Sequence, residues 1–167
     1  ALSLSNARTV SGTTIDRGKS FLKDKVGQAI FASSVGITED PTRIKGRSSR
    51  PFDGEGMAVA PLSLVQGGVL QTWVLDSRSA RQLGLQSNAR AARGTASPPG
   101  PSASNLFFEP GHLSPSALMA DIREGLYITE MMGSSINGLT GDYSRGASGF
   151  MIRDGQIAEP VAGFTLA

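Results

Sequence analysis

The apolar positions along the chain alternate more often than they follow a helical period, which predicts more strands than helices. Two apolar, partly alternating runs, Met57–Leu64 and Val69–Leu75, flank Gln66-Gly67-Gly68. They predict an antiparallel hairpin, because glycine supplies the positive φ that tight turns need. Pro61 places the first of these strands at a sheet edge or at a bulge, since proline cannot donate to a strand ladder.

The second half of the chain contains further strand patterns. Asn105–Glu109 and Leu126–Met132 each predict a strand. Ser148–Ile152 and Gln156–Val161 flank the turn Arg153-Asp154-Gly155. An Asp-Gly pair between two apolar runs is a strong hairpin signal, so the sequence predicts a second hairpin here.

Three segments predict helices. Ser20–Ala32 has apolar residues close to helical spacing, although Gly27 within it weakens the pattern. Ser77–Leu83 is expected to begin with Ser77 as its cap and to end at Gly84. Ser114–Gly125 has the clearest signals, a serine cap followed by proline at its start and a glycine stop at its end.

The connections between the predicted strands are too short for parallel crossovers. We therefore expect an α+β fold, with a mixed, largely antiparallel sheet and a few helices packed on it. The length fits a single domain over residues 1–167. The small, Pro-rich stretch 94–104 predicts a flexible loop, and Gly36–Ser49 is expected to be irregular. Because the chain does not begin with Met, we expect it to be part of a longer protein.

Cysteine and histidine usage restricts the chemistry. The chain has no Cys, which excludes a cysteine-based zinc site and a cysteine nucleophile in this segment. The single His, His112, excludes a two-His metal motif within the chain and lies in a predicted turn. No run of about 18 apolar residues and no signal-peptide pattern occurs. We expect a cytoplasmic protein without a membrane span.

The charge is unevenly distributed. The net charge is +2, but residues 1–50 carry 9 Lys/Arg and 4 Asp/Glu. A positive first third could favour an acidic partner or nucleic acid. No aromatic residue is interleaved with Arg43, Lys45, Arg47 and Arg50, so a base-stacking surface is not indicated. A solvated basic face is the interpretation we favour over nucleic-acid binding.

Asp53-Gly54-Glu55-Gly56 is a candidate acidic site. In an extended segment the carboxylates of Asp53 and Glu55 would point to one face, as an acid/base pair or hard-cation ligands would. In a tight turn Asp53 would instead accept hydrogen bonds from its own backbone, with the glycines at positive φ. We favour the turn.

The stretch Gly138–Phe150 combines four glycines with polar side chains. Glycine permits close backbone approach, either of a neighbouring strand or of a bound peptide captured at a strand edge. Packing alone explains the glycines equally well. The candidate peptide- or partner-binding residues of this stretch are Thr140, Asp142, Tyr143, Ser144 and Arg145.

Two runs of this region closely resemble the C-terminal domain of the TldD/PmbA family, and most of all its PmbA (TldE) branch. These runs are Gly125-Leu-Tyr-Ile-Thr-Glu-Met-Met-Gly133 and Asn137-Gly-Leu-Thr-Gly-Asp-Tyr-Ser-Arg-Gly-Ala-Ser-Gly-Phe150. Further matching segments, in the family's order and across nearly the whole chain, are Ser20-Phe21-Leu22, Pro51–Gly56, Ser79–Gly84 and Pro160–Gly163.

The resemblance implies a bacterial protein of regulated proteolysis and peptide maturation. The family also carries the name modulator of DNA gyrase. Its TldD members look like zinc metallopeptidases with an HExxxH helix and a Cys ligand, whereas PmbA-type members lack these ligands and serve as the partner subunit. The HExxxH helix would precede the present segment. His112 lies in no such motif and Cys is absent, which fits the PmbA pattern.

The resemblance therefore predicts a non-catalytic partner subunit of a TldD-type zinc metallopeptidase. We expect no metal or cofactor on this chain, zinc on a TldD-like subunit, and a peptide substrate. The partner would be that subunit or a second copy. Two alternatives stay open: an active hydrolase that uses Asp53 and Glu55, and a nucleic-acid-associated regulator that acts through the basic first third.

Overall fold

The computed structural model describes residues 10–18, 20–137, 140 and 142–167. The start of the chain, where a signal peptide would lie, is outside these residues. The chain divides into two compact units, Ala1–Glu109 (unit 1) and Pro110–Ala167 (unit 2). The single domain over residues 1–167 stays a prediction.

The described part of unit 1 is built from short strands and two short helices. A four-stranded antiparallel sheet has the order β3-β2-β1-β6, and β4 pairs with β5 in a small separate sheet. In chain order the elements are α1 (Gly12–Asp16), β1 (Ile37–Glu39), β2 (Leu62–Gln66), β3 (Val69–Leu70), α2 (Ser77–Gln82), β4 (Ala91–Ala92), β5 (Gly100–Pro101) and β6 (Leu106–Phe108).

The first predicted hairpin is confirmed, with shorter strands and a two-residue turn. Gly67 and Gly68 both have positive φ, +56° and +77°. A Cβ on Gly68 would collide with the carbonyl oxygens of Phe31 and Ala32, so only glycine fits there. Of the two positions that Pro61 suggested, the sheet edge is wrong, because β2 lies between β1 and β3. The bulge agrees with the ladder, since the register of β1 against β2 shifts between Ile37 and Thr38.

The predicted helix over Ser20–Ala32 is wrong, since the segment forms successive turns. Gly27 has a φ of +78°, and its N–H donates to the carbonyl oxygen of Leu70 at 2.8 Å. The N–H of Ile30 donates to the carbonyl oxygen of Gly68 at 2.9 Å. The backbone groups that a helix would use internally are therefore used by β3 and the adjoining turn, which no local pattern encodes.

The expectation that Gly36–Ser49 is irregular is wrong over Ile37–Glu39. These residues form β1, which pairs with both β2 and β6. Ile37 and Glu39 are buried and Thr38 is half-buried. Because a glutamate occupies one of the buried positions, the sequence does not show the alternation of apolar and polar residues by which a strand is recognised.

The core of unit 1 is a single hydrophobic cluster formed mainly by β1, β2, β3 and the segment that follows β3. Trp73, Val74 and Leu75 belong to this cluster and lie between β3 and α2 in the chain. Their burial contributes most of the folding free energy of a unit of this size. The buried members of the cluster are Ile15, Leu22, Ile37, Leu64, Val65, Leu70, Trp73, Val74, Leu75 and Ala80.

Helix α2 is confirmed with a correction at its start. Asp76, not Ser77, is the N-cap, and its side chain accepts a hydrogen bond from the N–H of Ser79 at 2.8 Å. The Ser79 side chain bonds back to the Asp76 N–H, which completes a capping box. Gly84 follows the helix with a φ of +68°, as predicted.

The Pro-rich stretch 94–104 ends in paired structure. Gly100–Pro101 form β5, opposite Ala91–Ala92. The flexibility expected for this stretch stays a prediction. The strand predicted over Asn105–Glu109 is confirmed as β6.

The described part of unit 2 consists of a short helix and a three-stranded antiparallel sheet of order β7-β8-β9. The elements are α3 (Pro115–Met119), β7 (Glu124–Ile136), β8 (Tyr143–Arg153) and β9 (Gln156–Leu166). The Asp-Gly hairpin is confirmed, with Asp154 and Gly155 at positive φ. The strands are longer than the sequence predicted, because both sides of each turn continue to pair.

Helix α3 begins as predicted but is shorter. The Ser114 hydroxyl accepts a hydrogen bond from the N–H of Ala117 at 3.2 Å, and Pro115 occupies the first turn. The helix ends at Met119, and none of its residues is buried. Its apolar face therefore lacks the packing that would extend it.

Both units combine antiparallel sheets with a few short helices, which confirms the α+β class. Within the described ranges we find no helix that combines the length and the apolar character needed to cross a membrane.

Candidate functional site

Asp53 is buried, at 4% exposure, and holds a turn together. Its Oδ1 accepts hydrogen bonds from the N–H groups of Glu55 at 2.9 Å and Met57 at 3.0 Å, and its Oδ2 accepts one from Ala91 at 3.0 Å. Gly56 has a φ of +79°. The turn interpretation is confirmed, and both oxygens of this carboxylate are engaged by backbone amides.

Glu55 is exposed and binds the start of α2. Its Oε2 accepts hydrogen bonds from the N–H of Ser77 at 3.0 Å and from the Ser77 hydroxyl at 2.7 Å. A carboxylate at this position satisfies a free amide of the first helical turn. Asp53 and Glu55 therefore act on different partners rather than as a facing pair.

The residues that the structure describes offer no ligand set for zinc. Within this part of the chain, no group of three or more His, Cys, Asp and Glu side chains lies close enough to hold a metal ion. The oxygens of Asp53 face N–H donors, which a cation would have to displace. His112 lies exposed between α3 and β6 in the chain.

The second candidate region lies where β7 and β8 meet. The Thr140 hydroxyl donates to Oδ2 of Asp142 at 2.5 Å, and the N–H of Asn137 donates to the carbonyl oxygen of Asp142 at 2.9 Å. Gly138, Leu139 and Gly141, which belong to the predicted glycine-rich stretch, lie outside the described residues. Thr140 and Asp142 are both exposed.

Tyr143, Ser144 and Arg145 begin β8. The Tyr143 hydroxyl lies 3.1 Å from Sδ of Met131. Nη2 of Arg145 donates to the carbonyl oxygen of Met131 at 3.3 Å, and within the described residues its Nε is buried without a hydrogen-bond partner. The Arg145 guanidinium therefore has unused donors, whereas Ser144 is exposed and pairs with Ser135 across the ladder.

The predicted site residues fall into two groups. Asp53 and Glu55 belong to unit 1, and Thr140, Asp142, Tyr143, Ser144 and Arg145 belong to unit 2. Their role in peptide or partner binding stays a prediction.

The feature that sequence reasoning missed is the exposed apolar surface of the β7-β8-β9 sheet. Cross-strand partners share a sheet face, and Tyr127 pairs with Phe150, which pairs with Pro160. Leu126 pairs with Met151 on the opposite face. The sequence did contain a sign of this surface, because Leu126–Met132 has apolar residues at both odd and even positions. Such a continuous apolar run is typical of a strand that is covered on both faces. The exposed side chains are Leu126, Tyr127, Ile128, Met131, Met132, Phe150 and Ile157.

Comparison with known proteins places this geometry in a family. Residues 2–167 match the model of the PmbA/TldA metallopeptidase C-terminal domain. The chain is 35% identical over 158 residues to the protein named Metalloprotease PmbA from Escherichia coli O157:H7, which covers 95% of this chain and 33% of that protein. The chain thus spans about one third of the length of this relative.

Two solved structures share the fold. A Thermotoga maritima protein, described as a candidate modulator of a DNA gyrase, has a TM-score of 0.84 and 30% identity, over 94% of this chain and 36% of that one. TldE from Thermococcus kodakarensis has a TM-score of 0.83 and 22% identity, over 96% and 37% of the two chains. The matched sequence and the two-unit structure together show that this chain belongs to the PmbA/TldD metallopeptidase family, where it corresponds to the C-terminal domain.

Proposed function

We propose that this chain is the C-terminal domain of a PmbA/TldE-type subunit, which pairs with a TldD-type zinc peptidase subunit and does not itself carry the catalytic metal. The observation that carries the proposal is the exposed apolar sheet of unit 2. Membership in the metallopeptidase family supports the proposal.

The exposure of this sheet is large for a surface that faces water. Met132 is 52% exposed, Met131 44% and Leu126 40%. Monomeric proteins rarely leave contiguous apolar patches larger than a few hundred Å² uncovered. Flexible methionine side chains adapt to a partner's shape, which suits a subunit interface. We therefore assign the sheet to contact with another part of the assembled peptidase.

The outer strands supply main-chain groups for a peptide. In the described sheet, β7 and β9 each pair only with β8, so each has a second, unpaired side. An extended peptide adds to such an edge through backbone hydrogen bonds. Thr140 and Asp142 lie in the connection between β7 and β8, and Arg145 at the start of β8 adds a positive charge that suits a carboxylate of that peptide.

The carboxylates of unit 1 support a structural role. Asp53 accepts three backbone hydrogen bonds with both of its oxygens, and Oε2 of Glu55 binds the start of α2, so the two carboxylates serve separate structural contacts. We propose that zinc is bound by the TldD-type subunit, and that the present domain shapes and closes the peptide cavity.

A peptide-cleavage assay on the full-length protein tests the proposal. We expect no cleavage by the protein alone and cleavage when a TldD-type subunit and zinc are added. The double variant Leu126→Ser/Met132→Ser removes one exposed apolar group from each sheet face and should reduce the reconstituted activity about tenfold or more, since interface anchors carry most of the binding energy.

A matched control is available outside the sheet. Leu113 and Leu118 are 61% and 59% exposed, and Leu113→Ser/Leu118→Ser should leave the activity within about twofold of the wild type, as expected for surface changes. Cleavage by the protein alone that disappears in Asp53→Asn would contradict the proposal and support the hydrolase alternative.

A further inference from the structure

The loop of residues 40–51, here called the basic loop, concentrates positive charge. Arg43, Lys45 and Arg47 are exposed, and Arg50 is half-buried. The ion pairs found among the described residues involve Arg90 and Arg153, so none of these four cations is paired with a carboxylate there. Arg43 interacts with Asp40 of the same loop, and the exposed charges of Lys45 and Arg47 are available to an external partner.

The basic loop is fixed from within unit 1 by Asn105. The Asn105 side-chain amide donates to the carbonyl oxygen of Asp40 at 2.8 Å and to the Ser49 hydroxyl at 2.9 Å, and its oxygen accepts the N–H of Ser48 at 3.0 Å. A Cβ on Gly46 would lie 2.5 Å from this same amide nitrogen. The cations are thus presented on an ordered loop, so less conformational entropy is lost when a partner binds.

The ends of the basic loop enclose a cleft. The N–H of Arg50 donates to the carbonyl oxygen of Pro41 at 2.8 Å, which closes the loop. The open cleft beside this contact has a volume of about 400 Å³ and is lined by Pro41, Thr42, Ser49, Arg50 and Pro51. This volume accommodates a few side chains of a peptide rather than a folded surface.

Arg50 lines this cleft, and its guanidinium makes few hydrogen bonds within the described residues. Its guanidinium makes one long hydrogen bond, from Nη2 to the carbonyl oxygen of Ser102 at 3.4 Å. Within the described residues, its Nε is buried and has no hydrogen-bond partner. Because Nε is buried, a carboxylate that entered the cleft would be held by the two Nη groups, which arginine also presents as a fork of N–H donors.

From these observations we propose that the basic loop binds an acidic peptide segment, with a carboxylate at Arg50 and further carboxylates near Arg43, Lys45 and Arg47. Ile44, at the loop tip, is 88% exposed and offers an apolar contact next to the charges. The ligand class is therefore a peptide in which acidic and apolar residues alternate. This site belongs to unit 1 and requires neither zinc nor a second subunit, so it goes beyond the proposed function and can fail independently of it.

The same details disfavour nucleic acid. The guanidinium carbon of Arg43 lies 4.8 Å from the centroid of the Phe107 ring, so one face of this ring is taken by a cation. Non-specific binding of a nucleic acid strand relies on aromatic faces that are open to bases and on a groove of phosphate-binding charges. The basic loop itself contains no aromatic residue on which a base could stack.

Fluorescence anisotropy with labelled peptides tests the proposal on the full-length protein. The probe is a decapeptide of alternating Glu and Leu, and its control is the same peptide with Gln in place of Glu. We expect the acidic peptide to bind and the Gln peptide to bind at least about tenfold more weakly, since several exposed ion pairs would be lost together.

Variants locate the site. Arg43→Gln/Lys45→Gln/Arg47→Gln should weaken binding of the acidic peptide roughly tenfold, and Arg50→Lys should weaken it several-fold, because lysine keeps the charge but not the forked donors. The control Lys23→Gln/Arg78→Gln/Arg93→Gln removes the same charge from other exposed positions of unit 1 and should leave affinity within about twofold. Circular dichroism confirms that each variant is folded.

Three results would overturn the proposal. One is equal binding of the Glu and Gln peptides, and another is an equal loss in the loop triple variant and its control, which would show a general charge effect. The third is tighter binding of a single-stranded DNA decamer than of the acidic peptide at the same ionic strength, which would assign the loop to nucleic acid.

Discussion

Unit 1 and unit 2 use their apolar residues in opposite ways. Unit 1 buries a cluster of ten hydrophobic residues, among them Leu70 at 0% and Trp73 at 4% exposure. In the described part of unit 2, Ala147 and Ile152 are the buried hydrophobic residues, whereas seven larger ones on the sheet stay exposed. Unit 1 is thus stabilised by its own core, and unit 2 mainly by its strand ladders.

Buried polar groups follow the same division. In unit 1, Glu39 and Arg90 are 0% and 1% exposed and form an ion pair. The Glu39 carboxylate also accepts from the N–H and hydroxyl of Ser104, and Arg90 donates to the carbonyl oxygens of Ala60, Asn88 and Ala89. In unit 2 the ion pairs of Arg153 are exposed. In the described residues, unit 1 therefore buries both apolar and charged groups, whereas unit 2 leaves both largely exposed.

The largest expected effect is on the buried ion pair of unit 1. Arg90→Ala leaves the Glu39 carboxylate buried without its partner, and should lower the free energy of unfolding by about 3–5 kcal/mol. Chemical denaturation measures this change. The double variant Glu39→Met/Arg90→Met should lose less unfolding free energy than Arg90→Ala alone, and a loss below about 1 kcal/mol in Arg90→Ala would contradict the burial of this ion pair.

Truncation of apolar side chains should separate the two units. Leu70→Ala creates a cavity in a fully buried site and should cost about 2–5 kcal/mol of unfolding free energy. Met132→Ala, at a half-exposed position of unit 2, should cost no more than about 1 kcal/mol. Equal losses in the two variants, measured by denaturant titration, would contradict the difference in packing between Leu70 and Met132.

The turn at Asp53 should show a stability effect of intermediate size. Asp53→Asn places an amide group where the carboxylate accepts from three backbone N–H groups, and should cost about 1–3 kcal/mol. The matched variant Asp24→Asn, at an exposed position, should stay within about 0.5 kcal/mol of the wild type. Unchanged thermal stability of Asp53→Asn would be evidence against the structural role given to this residue.

Two glycines of unit 2 form a finer comparison. Gly155 has a φ of +79°, and a Cβ there would lie 2.9 Å from the carbonyl oxygen of Ala120. Gly163 has a φ of +77°, with no atom within 4 Å of such a Cβ. Gly155→Ala should therefore lower the free energy of unfolding by about 1 kcal/mol more than Gly163→Ala, because Gly163→Ala introduces backbone strain but no steric clash. Thermal unfolding of the two variants would show the ranking, and the reverse order would exclude the contact with Ala120.

The smallest effect concerns the exposed charges of unit 2. The hydrogen bond from Arg153 to Glu159, together with its positive charge, lowers the pKa of the Glu159 carboxyl. Because the pKa is lowered in the folded state, the pair stabilises the fold above the ordinary carboxyl pKa, and this contribution is lost as the pH falls through the lowered value. An NMR titration should show the lowered midpoint of Glu159 in the wild type, a midpoint closer to the ordinary value in Arg153→Gln, and a smaller shift in high salt.

The sequence predicted the elements whose signals are local. The Asp154-Gly155 and Gly67-Gly68 turns, the Ser114 cap and the Gly84 stop all appear as expected, because each depends on the φ or the hydrogen-bonding group of a single residue. The elements that depend on distant partners were not predictable. Ser20–Ala32 has helical spacing, yet its backbone bonds to β3, and β1 carries a buried glutamate whose partner Arg90 lies far along the chain.

The candidate site divides in the same way. The turn at Asp53 could be foreseen, because Asp followed by glycines bonds its own backbone. The bond from Ser77 to Glu55 could not, since 22 residues separate the two. The exposed sheet was also missed, because an apolar strand predicts burial and only the three-dimensional structure shows which strands this chain leaves uncovered.

The most direct test of the account is whether the unit 2 sheet joins the subunits. The full-length protein is mixed with a TldD-type subunit, and the molar mass and zinc content of the mixture are measured by size-exclusion chromatography with light scattering and by elemental analysis. We predict a zinc-containing complex for the wild type and for Leu113→Ser/Leu118→Ser, and separate subunits for Leu126→Ser/Met132→Ser. A complex that forms equally well with the sheet variant would contradict the role of this sheet in joining the subunits. Zinc that elutes with the present protein alone would contradict the assignment of zinc to the TldD-type subunit.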